Sequence, residues 1–137
     1  MYKKMMVPID LAHADLLGKA LATATDLARH YDIPVCFVGV TAETPTALAH
    51  TPNEYAQKLQ GYVDGLAETR GLAVSTVALP SHDPAIDLDS KLVRAAEDIG
   101  ADLIVMASHV PGIPEHFFSS HAGAVASHAG VSVFVVR

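Results

Sequence analysis

The chain has 137 residues, of which 50% are hydrophobic and 18% charged, so we expect a single folded domain over residues 1–137 rather than a disordered segment. The chain contains nine Lys and Arg residues and fifteen Asp and Glu residues, so its formal net charge is −6. This negative charge argues against nucleic acid or an anionic membrane as a partner. No apolar run approaches the roughly 18 residues of a transmembrane helix. The single Cys36 cannot form an internal disulfide, so we expect a cytoplasmic protein with this cysteine buried in the core.

Apolar, β-branched runs alternate along the chain with segments of helical periodicity. In chain order we predict strand 2–8, helix 14–30, strand 35–40, helix 53–70, strand 72–79, helix 84–99, strand 103–107, a short helix near 120–128 and strand 131–136. Pro34 ends the first helix, and Asp83 and Gly100 bound the third. Strict alternation of strands and helices predicts an α/β fold with a largely parallel sheet covered on both faces.

Ligands of such open sheets bind outside the carboxyl ends of the strands. Three segments are expected at that edge: Pro8-Ile9-Asp10, Val40-Thr41, and the long loop 106–123 with the sequence MASHVPGIPEHFFSSHAG. Three further acids, Asp83, Asp87 and Asp89, are interpreted as favourable charges near the positive end of the third helix rather than as catalytic groups. The histidines lack the spacing and the cysteine partner of a zinc site, so we expect no metal centre.

Three stretches of this chain resemble the universal stress protein family: KKMMVPID at the start, GADLIVMASH in the middle and AVASHAGVSVFVVR at the end. The resemblance covers the whole chain and includes a Ser-His-x-Pro-x-Ile loop that a subset of the family carries, at residues 108–113. It implies a three-layer sandwich with a five-stranded parallel sheet in the order 3-2-1-4-5. It also implies an adenine nucleotide, ATP or AMP, bound near Asp10 and Val40, with magnesium only if the ligand is ATP.

Nucleotide-binding members of the family carry a Gly-x2-Gly-x9-Gly-Ser/Thr motif, in which the glycines let the backbone approach the phosphates. The matching positions here are Ala107, Val110, Ser119 and Ser120, so all three glycines are replaced and the second spacer is one residue shorter. Val110 is the least compatible replacement, because a β-branched side chain resists positive φ and crowds a phosphate. The resemblance therefore predicts weak phosphate binding, with Ser108, Ser119 and Ser120 and the flanking histidines as its remaining donors. The candidate binding residues are Pro8, Ile9, Asp10, Val40, Met106, Ala107, Ser108, His109, Ser119, Ser120 and His121.

Two functions stay open at this point. The first is a stress-response module that binds ATP or a related adenine nucleotide weakly and hydrolyses it very slowly or not at all. The second is a protein of the same fold that binds no nucleotide and acts through a protein partner. A flavin enzyme is disfavoured because Asp10-Leu11-Ala12-His13 makes a poor phosphate loop, and a receiver domain is disfavoured because it needs paired acids after the first strand.

The last predicted strand, residues 131–136, is apolar and carries no proline or charge before Arg137. In the order 3-2-1-4-5 it lies at a sheet edge, where unpaired backbone groups need a cover. We expect a homodimer in which this strand pairs with its own copy, antiparallel. The alternative is that loop 41–53 folds over the edge and leaves a monomer.

Overall fold

Five parallel strands form one sheet in the computed structural model, which describes residues 1–108 and 121–137. The strands are β1 (Met5–Pro8), β2 (Val35–Ala42), β3 (Val74–Ser81), β4 (Leu103–Ala107) and β5 (Ser132–Val136). Their order is β3-β2-β1-β4-β5, and every neighbouring pair runs parallel. The predicted fold class and strand order are therefore confirmed.

In the described part of the chain, four α-helices connect the strands. They are α1 (Gly18–Tyr31), α2 (Pro52–Asp64), α3 (Pro84–Ile99) and α4 (Ala122–His128). Asp83 and Gly100 flank α3 as the sequence predicts, with Gly100 in the left-handed conformation at φ 73°. Within the described ranges, no helix has the length and apolar character needed to cross a membrane.

The first strand and the first helix start later than predicted, each because a local hydrogen-bond pattern replaces the regular one. Strand β1 begins at Met5 instead of residue 2, and the backbone N–H groups of Lys3 and Lys4 donate to the Asp102 carboxylate at 3.0–3.1 Å. Helix α1 begins at Gly18 instead of residue 14, because a 3₁₀ segment with a non-helical His13 comes before it.

The predicted helix 53–70 is divided. Helix α2 ends at Asp64, where the Gly65 N–H closes the last turn on Gly61, and Leu66 then adopts an extended conformation. A separate 3₁₀ turn follows at Ala67–Thr69, and β3 starts at Val74 rather than at residue 72. Gly61 and Gly65 lie at this end of α2, and the low helix propensity of glycine is the physical reason that the helix ends earlier than predicted.

The central strands β1, β2 and β4 are buried on both faces, and the sheet separates two apolar layers. Helices α1 and α2 pack with Met5, Val7 and Phe37 on one face. Helices α3 and α4 pack with Met6 and Cys36 on the other. Successive side chains of a strand point to opposite faces, so one apolar run supplies both layers. Cys36 is only 1% exposed, as expected for a small core residue.

Gly39 of β2 leaves the space that the side chain of Tyr55 occupies. A Cβ atom at Gly39 would lie 2.3 Å from the hydroxyl oxygen of Tyr55, a residue of α2 that is itself 3% exposed. The absence of a side chain at position 39 therefore lets the Tyr55 ring lie directly on β2. The tyrosine thereby reaches the carboxyl end of the sheet.

We predict that Gly39→Ala destabilises the fold by about 1–3 kcal/mol, the usual range for overpacking a core. Adding Tyr55→Leu removes the group that the new Cβ atom would contact. The double variant should therefore lose less stability than the sum of the losses measured for the two single variants. Gly61→Ala on α2 is the control, because no atom lies within 4 Å of its Cβ position and alanine favours a helix. Urea unfolding of the four variants measures these effects, and an additive double variant would contradict the contact.

Candidate functional site

The carboxyl ends of β1 and β2 open into a cavity of about 460 Å³. Volumes of this size hold small organic ligands in other proteins. Its lining comes from the turn after β1, the end of β2, the loop between β2 and α2, and the start of α3. The described lining residues are Asp10, Leu11, Ala12, His13, Val40, Thr41, Ala42, Thr46, Ala47, Leu48, Tyr55, Asp83 and Pro84.

Three buried polar side chains contribute to the lining of this cavity: Asp10, Thr41 and Tyr55. Asp10 and Thr41 are each 7% exposed. The chain leaves β1 at Pro8, so Asp10 is the first polar residue past the apolar strand. Nδ1 of His13 lies 2.9 Å from Oδ2 of Asp10, and the His13 backbone N–H donates to the Asp10 carbonyl, so the turn itself holds this carboxylate in place.

Tyr55 brings a hydroxyl to the cavity from α2. Burial raises the pKa of this phenol, and the negative charge of Asp10 raises it further, so the hydroxyl keeps its proton at neutral pH. Thr41 offers a second hydroxyl, whose donor contact to the Ala42 carbonyl is long at 3.4 Å. The buried part of the lining therefore combines one carboxylate acceptor, Asp10, with two neutral hydroxyl groups.

The loop 43–51 forms one wall of the cavity and is fastened to α2. The Thr46 N–H donates to the Ala49 carbonyl at 2.8 Å, which folds the loop into a turn. The His50 N–H donates to the Glu54 carboxylate at 3.0 Å, and this bond is the main reason that the pKa of Glu54 is lowered. Lys58 also donates to the Leu48 carbonyl. The wall is thus held by bonds to two residues of the helix that carries Tyr55.

The cavity brings together Asp10 and Val40 from the predicted site residues. The other described candidates are outside its lining: Pro8, Ile9, Met106, Ala107, Ser108 and His121. Pro8, Ile9, Met106 and Ala107 are buried at the ends of β1 and β4, and the Ser108 N–H donates to the Val136 carbonyl at 2.7 Å. His121 precedes α4 and forms a hydrogen bond with the Asp89 carboxylate of α3. His109, Val110, Ser119 and Ser120 lie outside the described residues.

Sequence reasoning missed Tyr55 and the loop wall at Leu48. The helical periodicity of α2 places Tyr55 among the core residues, which is correct for its ring but says nothing about its hydroxyl. The available signal was Gly39, since a glycine inside a buried strand often marks a close approach by another group.

A three-layer α/β sandwich with its cavity at the carboxyl edge of a parallel sheet defines a class of small-ligand-binding domains. The universal stress protein family model matches residues 1–137, so the chain belongs to the universal stress protein family. Universal stress protein G of Shigella flexneri is 26% identical over 143 residues, covering all of both chains.

Solved structures of similar proteins have the same fold. A universal stress protein from Archaeoglobus fulgidus in complex with dAMP has a TM-score of 0.68 at 19% identity, covering 99% of this chain and 98% of that one. A universal stress protein in complex with cAMP has a TM-score of 0.69 at 18% identity, covering 99% and 97%.

Proposed function

We propose that this chain is a cytoplasmic stress-response module that binds an adenine nucleotide weakly and hydrolyses it very slowly or not at all. The observation that carries the proposal is the buried Asp10 carboxylate in the lining of a 460 Å³ cavity at the carboxyl edge. Similar proteins of the family have structures with dAMP and with cAMP bound. The replaced glycines of the loop are the reason that we propose weak binding.

The bound adenosine would lie between the turn after β1 and the end of β2. Asp10 would accept hydrogen bonds from the ribose hydroxyls, a use of strand-end acids that is common in nucleotide-binding α/β proteins. Strand β1 pairs with β2 only as far as Val38, and the Ile9 N–H makes one more bond to the Val38 carbonyl. Val40 lies past this ladder, so its main chain is positioned to meet the adenine edge. Magnesium would enter only with a triphosphate.

We predict that AMP binds the full chain with a dissociation constant of about 0.1–1 mM, equivalent to about 4–5.5 kcal/mol. Asp10→Asn should weaken binding about tenfold or more, because it removes the charged acceptor while keeping the side-chain size. Asp26→Asn, on the exposed surface of α1, is the matched control and should leave the affinity unchanged. Isothermal titration calorimetry measures all three proteins. No heat and no thermal shift with AMP or ATP would reject nucleotide binding and favour the alternative, a protein-interaction role for the same fold.

We also propose that the protein is a homodimer through β5. This strand is at the sheet edge beside β4 only, and Phe134 on it is 46% exposed. The strand carries no charge or proline that would discourage pairing with another strand. A symmetric antiparallel pair of β5 strands would satisfy the free backbone groups of both copies and cover both Phe134 side chains.

We predict that Phe134→Lys converts a dimer to a monomer without unfolding it, because like charges would face each other across the strand pair while the exposed position tolerates a polar side chain. Phe134→Leu, which keeps an apolar side chain, should remain dimeric. Light scattering after size exclusion at tens of micromolar protein determines the mass, and circular dichroism checks the fold. A monomeric wild-type protein would show the proposal to be wrong.

A further inference from the structure

The described lining of the cavity is acidic. It includes two carboxylates, Asp10 and Asp83, one imidazole, His13, and no lysine or arginine. A phosphate group bound beside this lining would face negative charge without a permanent positive partner. Coulomb repulsion of this kind is strongest at low ionic strength, where ions screen it least.

The sequence extends this pattern to the carboxyl ends of the first three strands, whereas Arg137 directly follows β5. Strands β1, β2 and β3 and the turns that follow them contain no lysine or arginine; these are residues 5–18, 35–57 and 71–90. Lys19, Lys58 and Lys91 directly follow these three segments. The Lys19 ammonium donates to the Arg137 carbonyl at 2.9 Å, and the Lys58 ammonium is held by the Leu48 carbonyl and lies 3.5 Å from the Glu54 carboxylate.

The Tyr55 hydroxyl provides an independent observation. Tyr55 is 97% buried, it lines the cavity, and its hydroxyl has no hydrogen-bond partner among residues 1–108 and 121–137. Buried hydroxyls are nearly always hydrogen-bonded, since leaving one unpaired is costly. A neutral hydroxyl that reaches the cavity without a partner therefore points to a polar group of a ligand.

Together, the cavity offers an acceptor in Asp10, hydroxyls in Thr41 and Tyr55, and apolar side chains such as Leu48 in its wall. These groups match an uncharged ligand that combines a flat ring with hydroxyl groups. They do not match a phosphate. We infer that the cavity recognises a nucleoside, with the Tyr55 hydroxyl as a specificity-determining contact, and that each added phosphate weakens binding. This inference rests on the proposed function and narrows it to the sugar and base.

The test is calorimetry of the full chain at low ionic strength with adenosine, AMP, and ATP with magnesium as separate ligands. Adenosine is expected to bind at least about ten times more tightly than ATP, with AMP between them, and added salt should narrow the difference. If AMP or ATP binds as tightly as adenosine or more tightly, this inference is overturned while the proposed function stands. If none of the three binds, the proposed function fails as well.

Two tyrosine variants test the contribution of the Tyr55 hydroxyl to binding. Tyr55→Phe removes only the hydroxyl and should weaken adenosine binding about two- to twelvefold, the range expected for one neutral hydrogen bond. Tyr62→Phe is the matched control, a half-buried tyrosine on the same helix but outside the lining, and should leave the affinity unchanged. Equal adenosine affinities of wild type and Tyr55→Phe would remove Tyr55 from the site.

Asp83→Asn tests the proposed repulsion between the carboxylates of the lining and the phosphate groups of a ligand. Asp83 precedes α3 without a side-chain capping bond, and asparagine is equally suited to that position, so the fold should be preserved. The change removes one carboxylate and should improve ATP binding more than adenosine binding. An unchanged ratio of the two affinities would show that this carboxylate does not set the preference.

Discussion

Burial of the central strands on both faces decides where this chain can carry polar chemistry. Strands β1 and β4 are apolar and fully covered, so a polar side chain placed within them would lose its solvation. Polar residues therefore come where the strands end: Asp10 after β1, Thr41 near the end of β2 and Ser81 at the end of β3. Because the strands run in the same direction, these ends meet at one edge. The cavity lies there for that reason.

The contact between Gly39 and Tyr55 joins this edge to the core. The same ring that fills the space over β2 presents its hydroxyl to the cavity, so one residue serves packing and recognition. The loop wall depends on the same helix through Glu54 and Lys58. The shape of the cavity is thus fixed largely by how α2 sits on β2. Its charge is fixed separately, by acids that follow β1 and β3.

Much of the fold could be predicted from the sequence, because apolar runs, Pro34 and Gly100 mark elements through local physics. Element ends were less predictable, since the start of β1 depends on backbone bonds to Asp102, a residue distant in sequence. Asp10 and Val40 could be placed at the site from the strand ends alone. Tyr55 could not, because periodicity identifies a buried ring without showing what its hydroxyl meets. The predicted roles of Ser119 and Ser120 and the predicted dimer stay predictions.

The attachment of loop 43–51 to α2 has a consequence for kinetics. Both Leu48 and Tyr55 are attached to α2. The Leu48 carbonyl accepts a hydrogen bond from Lys58 of this helix, and Tyr55 is itself a residue of the helix. Widening the cavity on this side means breaking the loop bonds or lifting the ring from β2. The second motion disrupts the core, so it is rarer than ordinary loop fluctuation. Ligand exchange through this side would then be limited by opening of the protein.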